Sequence, residues 1–358
     1  MMDDRFQFVS LSTSVKYCYE DSGAPECTSY TTFIFIHGMG FNGGVFRPLF
    51  PIAAKRNYRV ISLYRRGYAP STPISDDEFA ALQKGVDEQQ AFIRRQGVEI
   101  AQFLLGFIRA NVIPPINKAG EGGIVLIGWS FGTIHAHAVL ANIDALPKED
   151  VTELGRFLRA VVAHDANPVS LGLSNPPAND ASFWFNPDIE ERFRLFNLWV
   201  LGYFQHPDPL SKNLTHPELS LEFNTPTLEK PRTFQYKSGE EILQIISRYG
   251  FDIVDMAIAP FAQSVRNVLT QRAIFDKKLA DNYLPRVPMI YICGREAPGV
   301  FLYGLWELEA VVDNPHSAYG PKAEKARVVK FHYLPQGNHF VFWDDPEWAL
   351  DQYYQCSL

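Results

Sequence analysis

Four short runs of this chain are apolar or β-branched at nearly every position: 31–36, 124–127, 158–163 and 288–293. A strand with one wet face alternates apolar and polar residues, whereas a strand covered on both faces does not. The runs are parted by tens of residues, the distance a crossover helix needs between parallel strands. Such strands can bury both faces only under helices, so the chain must build an α/β fold around a mostly parallel sheet. Weaker strand signals flank the four. Residues 6–11 and 15–19 alternate like a hairpin that ends at Asp21-Ser22-Gly23, and residues 59–63 and 328–334 read as further strands. Helical spacing marks residues 88–112, residues 133–143 and a closing helix from Pro346 onward.

The pattern fails between Pro168 and Pro285. This stretch is rich in prolines and aromatics and shows no buried-strand run. It reads as helices (residues 188–201, 239–248 and 251–277) joined by irregular loops. At 358 residues the chain is long for one compact domain. The expectation is a core of residues 1–167 and 286–358, interrupted by a helical cap of residues 168–285.

The sharpest chemical signal is Gly128-Trp129-Ser130-Phe131-Gly132, which sits after a buried strand and before a helix. A G-x-S-x-G turn of this kind lifts a serine hydroxyl above a sheet edge, beside the N–H groups and positive dipole of a helix N-terminus. Ser130 is the candidate nucleophile, and the Phe131 N–H a candidate oxyanion donor. A serine hydroxyl is hardly ionised at neutral pH and needs a base. Of the histidines, His339 in Gln336-Gly337-Asn338-His339-Phe340 follows the last strand, on the edge where Ser130 lies. His135 and His137 stand two apart on the helix after Ser130 and read as packing or surface residues; His206, His216 and His316 show no partner pattern. His37-Gly38-Met39-Gly40 follows the first buried strand, and Met39 is the candidate second oxyanion donor. Arg65-Arg66 beside Tyr64 and Tyr68 reads as a solvated turn, with an anion grip as the alternative.

In order and spacing, His37-Gly38, the Arg66-Gly67-Tyr68 turn, Gly128-Trp129-Ser130-Phe131-Gly132 and Gly337-Asn338-His339 resemble the α/β-hydrolase fold family, in its capped esterase-like branch. The resemblance covers nearly the whole chain, and 168–285 takes the place of that family's cap. It implies a relay in the order Ser, acid, His, which Ser130 and His339 obey. Three departures stand out. Tyr64 replaces the Asp that usually opens the turn after the second parallel strand. The nucleophile is Ser130 rather than Asp, which argues against epoxide hydrolysis and dehalogenation. Gly294-Arg295-Glu296-Ala297 puts Ala297 where the family commonly carries its acid. That leaves Asp165, which follows the strand 158–163, and Glu296, one residue early but longer. Asp165 is preferred for its defined place at a strand end.

Other classes fail on spacing or charge. No zinc-protease, EF-hand, P-loop or dinucleotide-binding motif appears, so no metal and no cofactor is expected. A net charge of −7 gives nucleic acid nothing to bind. No run approaches a membrane span, and the start MMDDRFQFVS lacks the basic and apolar regions of a secretory signal. The four cysteines show no paired spacing, the sequon at Asn213 carries no weight without a secretory route, and Cys356-Ser357-Leu358 lacks the basic middle residue of a peroxisomal signal. The expectation is cytoplasmic, with no stable membrane anchoring. Aromatics reach 14%, and many fall in the cap, Phe183, Trp184, Phe185, Phe193, Phe196, Trp199, Tyr203 and Phe204 among them. They would either wall an apolar pocket or fasten cap to core. The expected activity is hydrolysis of an ester, thioester or lactone of an apolar small molecule (a carboxylic ester hydrolase, EC 3.1). The alternatives are an acyltransferase, a lyase or C–C hydrolase on the same residues, and a catalytically silent ligand receptor.

Overall fold

The computed structural model describes residues 4–11, 14–174, 186–206, 226–321 and 323–358. Its centre is a single sheet of eight strands: β1 (Gln7–Ser10), β2 (Lys16–Asp21), β3 (Thr31–Ile36), β4 (Tyr58–Leu63), β5 (Ile124–Trp129), β6 (Leu158–His164), β7 (Met289–Gly294) and β8 (Val329–Leu334). They lie in the order β1-β2-β4-β3-β5-β6-β7-β8. β2 pairs antiparallel with both β1 and β4, and every pairing from β4 through β8 is parallel. Every residue of β3, β5, β6 and β7 is buried, as strands covered on both faces require.

The helix Val86–Ala110 covers the sheet together with Gly132–Ala141, which follows Ser130. Gly299–Asp313 fills the crossover from β7 to β8, and Pro346–Cys356 closes the chain. Strand order reverses at β3, which has β4 on one side and β5 on the other. Chains leave such a switch point in opposite directions and open a crevice above the strand ends, where ligands of open α/β sheets bind.

The chain between β6 and β7 carries the inserted helices. Ile189–Val200 and Gly239–Leu243 form near their expected places, although the second stops early. The helix expected over 251–277 is broken: Gly250–Asp255 is π-helical, Met256–Ile258 continues it, and Gln263–Thr270 and Gln271–Phe275 follow. Pro260 lies at the break, where it removes a backbone donor. Gln263–Thr270 packs on Gly132–Ala141, so this end of the insertion lies against the helix that follows Ser130. Among the described residues of 168–285 the only β pairing is the isolated bridge Phe41–Ile246. No helix among the described residues is long and apolar enough to cross a membrane.

Candidate active site

Four strand ends converge on the crevice. β3 delivers residues 37–40, β5 delivers Ser130, β6 delivers Asp165 and β8 leads to His339. Ser130 stands at φ +55°, a left-handed conformation that an ordinary residue reaches only under strain. Its N–H donates to the His164 carbonyl at 2.8 Å, tying the turn to β6. The turn leaves no room for side chains beside it. A Cβ on Gly132 would lie 2.4 Å from the Ile36 carbonyl oxygen, and one on Gly38 would lie 2.9 Å from Ser130 Cβ. Gly38 thus brings the backbone of 37–40 directly against the serine. Phe131 is the N-cap of the helix Gly132–Ala141, so its amide lies at that helix's positive end.

His339 is 1% exposed and held on every side. Its Nδ1 lies 2.8 Å from Asp165 Oδ2. Phe301 stacks on one face with ring centroids 4.3 Å apart and planes 5° from parallel. The Trp129 ring packs at 4.8 Å, and Trp129 Nε1 donates to the His339 carbonyl at 2.9 Å. With Nδ1 given to Asp165, Nε2 is the ring nitrogen left for proton transfer. Burial pushes the His339 pKa below 6.5, although the Asp165 bond works the other way.

Asp165, itself at φ +50°, also accepts from the Gly294 N–H at 3.1 Å. Burial raises its carboxyl, but His164, His339 and the Gly294 N–H more than offset this and hold it below the ordinary range. His164 Nε2 comes within 3.6 Å of Asp165 Oδ2, and burial holds that imidazole down at about 4, so it carries charge only in acid, where the Asp165 carboxyl titrates.

The two carboxylates considered for His339 therefore differ. Asp165 touches the ring; Glu296 does not. Glu296 bonds Lys230 Nζ and accepts the Gly337 N–H at 2.9 Å, bracing the loop that carries His339. Ala297 is fully buried, and its carbonyl meets His206 Nε2 at 2.6 Å.

The solvated turn expected at Arg65-Arg66 is not what forms. Arg65 is 1% exposed and Arg66 6%. Arg66 is held by Glu78 and by Glu99 at 3.1 Å. Arg65 pairs with Asp255 at 2.8 Å, and that aspartate is fully buried. Arg65 faces the inserted segment and Arg66 faces carboxylates on the helices before β5, which is why the turn is not solvated. His135 and His137 are both buried packing residues: His135 Nε2 meets Arg65 Nη1 at 3.2 Å, and His137 Nε2 meets the Tyr291 hydroxyl at 2.7 Å.

Asp255 and Phe301 do not stand out in the sequence, and Tyr68 does so only as part of the turn after Arg65-Arg66. For Asp255 a signal exists: it is a lone charge within Ile253-Val254-Asp255-Met256-Ala257-Ile258. Such a charge calls for a buried partner.

Part of the insertion packs on the residues around the strand ends. A Cβ on Gly40 would lie 3.2 Å from Phe251 and 3.7 Å from both Phe193 and Phe196, and Trp199 packs on Phe301 at 6.1 Å. Tyr203 and Phe204 instead bond Asp344 and the Glu296 carbonyl. Phe183, Trp184 and Phe185 lie outside the described residues. Among the described residues no cluster of His, Cys, Asp and Glu offers a metal site.

Comparison with known proteins bears on the family and the fold. The model of the alpha/beta hydrolase family matches residues 33–352. No curated protein matches the chain in sequence. Among solved structures, it resembles a meta-cleavage product hydrolase from Pseudomonas fluorescens at 14% identity, covering 99% of each chain with a TM-score of 0.50. It also resembles a bromoperoxidase from Bacillus anthracis (17% identity, 98% and 99% coverage, TM-score 0.46). A thermophilic esterase from Thermogutta terrifontis is similar at 15% identity, with 98% coverage of each chain and a TM-score of 0.45. At these identities the likeness is one of fold.

Proposed function

The chain belongs to the alpha/beta hydrolase family, and from that footing we propose that it cleaves an ester, thioester or lactone of an apolar small molecule through an acyl-enzyme on Ser130. The observation that carries this is the 2.8 Å contact between His339 Nδ1 and Asp165 Oδ2, one strand over from the strained serine turn. His339 Nε2 takes the Ser130 proton as Oγ attacks the acyl carbonyl. The Met39 and Phe131 N–H groups stabilise the negative oxygen that develops. His339 returns the proton to the leaving alcohol or thiol as the C–O or C–S bond breaks. Water then attacks the acyl-enzyme with His339 again as base, and the carboxylic acid departs. Asp165 fixes the tautomer and stabilises the imidazolium without taking the proton. Phe193, Phe196 and Phe251 above Gly40 favour an apolar acyl group and keep bulk water from the carbonyl.

A fluorophosphonate probe tests the assignment. The expected result is a single adduct on Ser130 that is lost in Ser130→Ala. A folded protein that stays unlabelled yet binds apolar esters is a ligand receptor on the same fold. Adding a primary alcohol during turnover separates hydrolysis from acyl transfer, because a transferase yields mainly the new ester.

A further inference from the structure

The 37–40 loop is gripped from outside the catalytic set. Gly38 O and Met39 N–H belong to one peptide unit, and Met39 O and Gly40 N–H to the next. Arg65 Nη2 donates to Gly38 O at 2.9 Å. His37 Nδ1 lies 3.0 Å from the same oxygen, and His37 Nε2 accepts the Arg65 backbone N–H at 3.1 Å. A backbone N–H can only donate, so Nε2 is the acceptor here, while Nδ1 faces both Gly38 O and the Arg65 Nε–H at 3.4 Å. Burial and the nearby Arg65 charge both keep this imidazole neutral. Gly40 N–H donates to Asp255 Oδ2 at 3.0 Å and to the Tyr68 hydroxyl at 3.1 Å. Tyr68 in turn donates to Asp255 Oδ2, and Arg65 Nη2 donates to Asp255 Oδ1 at 2.8 Å. Burial pushes the Asp255 carboxyl up, while the Arg65 guanidinium, the Tyr68 hydroxyl and the Gly40 N–H beside it favour its charged form. The insertion holds the loop by its backbone as well: Ser247 N–H donates to Gly40 O at 2.9 Å, and Asn42 N–H to Ile245 O at 2.8 Å.

We infer that Arg65, Asp255 and Tyr68 are positioning residues for the oxyanion site, fixing the two peptide planes that flank Met39 and polarising its N–H. This rests on the hydrolase reading. A cation on Gly38 O draws electron density from its peptide unit and makes the Met39 N–H a stronger donor. An anion on Gly40 N–H locks the next unit. Neither group touches substrate. Arg65 Cζ also lies 5.6 Å from the Phe131 ring. Asp255 comes from the π-helical turn Gly250–Asp255, a rare backbone form often found at functional sites. The inserted segment thereby completes the electrostatics of a loop it does not belong to.

The experiment uses the full chain with Asp255→Asn, Tyr68→Phe, Arg65→Met and Arg65→Lys. Turnover of a p-nitrophenyl ester is measured alongside affinity for an aryl trifluoromethyl ketone, which forms a tetrahedral adduct on a serine nucleophile. Amide hydrogen exchange over residues 38–42 is followed in parallel. Losing one oxyanion donor outright costs about 10² to 10³ in kcat, so disordering one is expected to cost roughly ten- to a hundred-fold. KM should stay within about two-fold, because the contact matters in the transition state and not in the ground state. Ketone affinity should fall by the same factor as kcat/KM, exchange at 38–42 should quicken, and Arg65→Lys should recover part of what Arg65→Met loses. If Asp255→Asn does not fold, Tyr68→Phe decides, since it removes one hydroxyl without stranding a charge. A folded variant with wild-type kcat and ketone affinity overturns the inference, as does a loss confined to KM or to thermal stability. A wild type that neither turns over ester nor binds the ketone overturns the hydrolase reading itself, and with it the catalytic half of this one.

Discussion

At the scale of the residue, the assignment of the acid is the sharpest commitment. Asp165→Asn keeps the shape but leaves the imidazole in the wrong tautomer, which in serine proteases costs about 10⁴ in kcat. Glu296→Gln disturbs a partly exposed contact with Lys230, worth about 1 kcal/mol at most, so its effect should stay within about five-fold. Steady-state kinetics on an activated ester separates the two, and a larger loss for Glu296→Gln would reverse the assignment. The pH profile carries the same information. His339 acts only when neutral, and burial lowers its pKa, so kcat/KM should be flat above pH 6.5 and fall only on the acid side of it. Gly38→Ala drives a methyl to 2.9 Å from Ser130 Cβ and 3.2 Å from the Trp129 ring. It should cut kcat while leaving far-ultraviolet circular dichroism unchanged.

Between elements, Val86–Ala110 approaches Gly132–Ala141 very closely. A Cβ on Gly97 would lie 2.2 Å from the Ala138 carbonyl oxygen and 2.5 Å from its carbon. Gly→Ala inside a helix ordinarily stabilises by about 0.5–1 kcal/mol. Here the obstacle is backbone and cannot yield, so overpacking wins and Gly97→Ala should destabilise by about 1–3 kcal/mol in urea unfolding. The same scale shows what the sequence reveals. β3 and the strand before Ser130 are legible almost to the residue, because a strand buried on both faces has no polar interruption until it ends. The helix Gly299–Asp313 was not visible in the same way. Val300, Phe301, Leu302, Tyr303, Leu305, Trp306 and Leu308 leave no polar face, and a helix without contrast has no period to detect. Ser130 and His339 stand out because their motifs are local. Arg65 and Asp255 are 190 positions apart, and no local pattern links two residues that only the folded chain brings together.

Over the whole molecule, buried histidines set the response to acid. Burial holds His137 down at about 3, and His164 and His206 at about 4. Their folded pKa values lie below the unfolded value, so their contribution is complete above about pH 6.5 and is lost as pH falls towards 4. Each removes about 1.4 kcal/mol per pH unit across that window, so the three together remove roughly 4 kcal/mol for every pH unit, against a typical total of 5–15 kcal/mol. Burial holds the Glu99 and Asp255 carboxyls above their ordinary values, and these oppose the trend only near the acid end. Urea midpoints should therefore drop steeply between pH 6 and 5; a flat profile there would mean that these rings are charged in the fold. The Arg65–Asp255 pair has a different consequence, for transplantation. Stripping away the inserted segment would leave Arg65 as an unmatched charge in the interior, a penalty of about 3–5 kcal/mol. The inserted segment is therefore not interchangeable with an arbitrary one. A foreign segment grafted onto this core would need its own anion at that spot, or a neutral residue in place of Arg65, and in a nascent chain Arg65 lacks this carboxylate until residue 255 has docked.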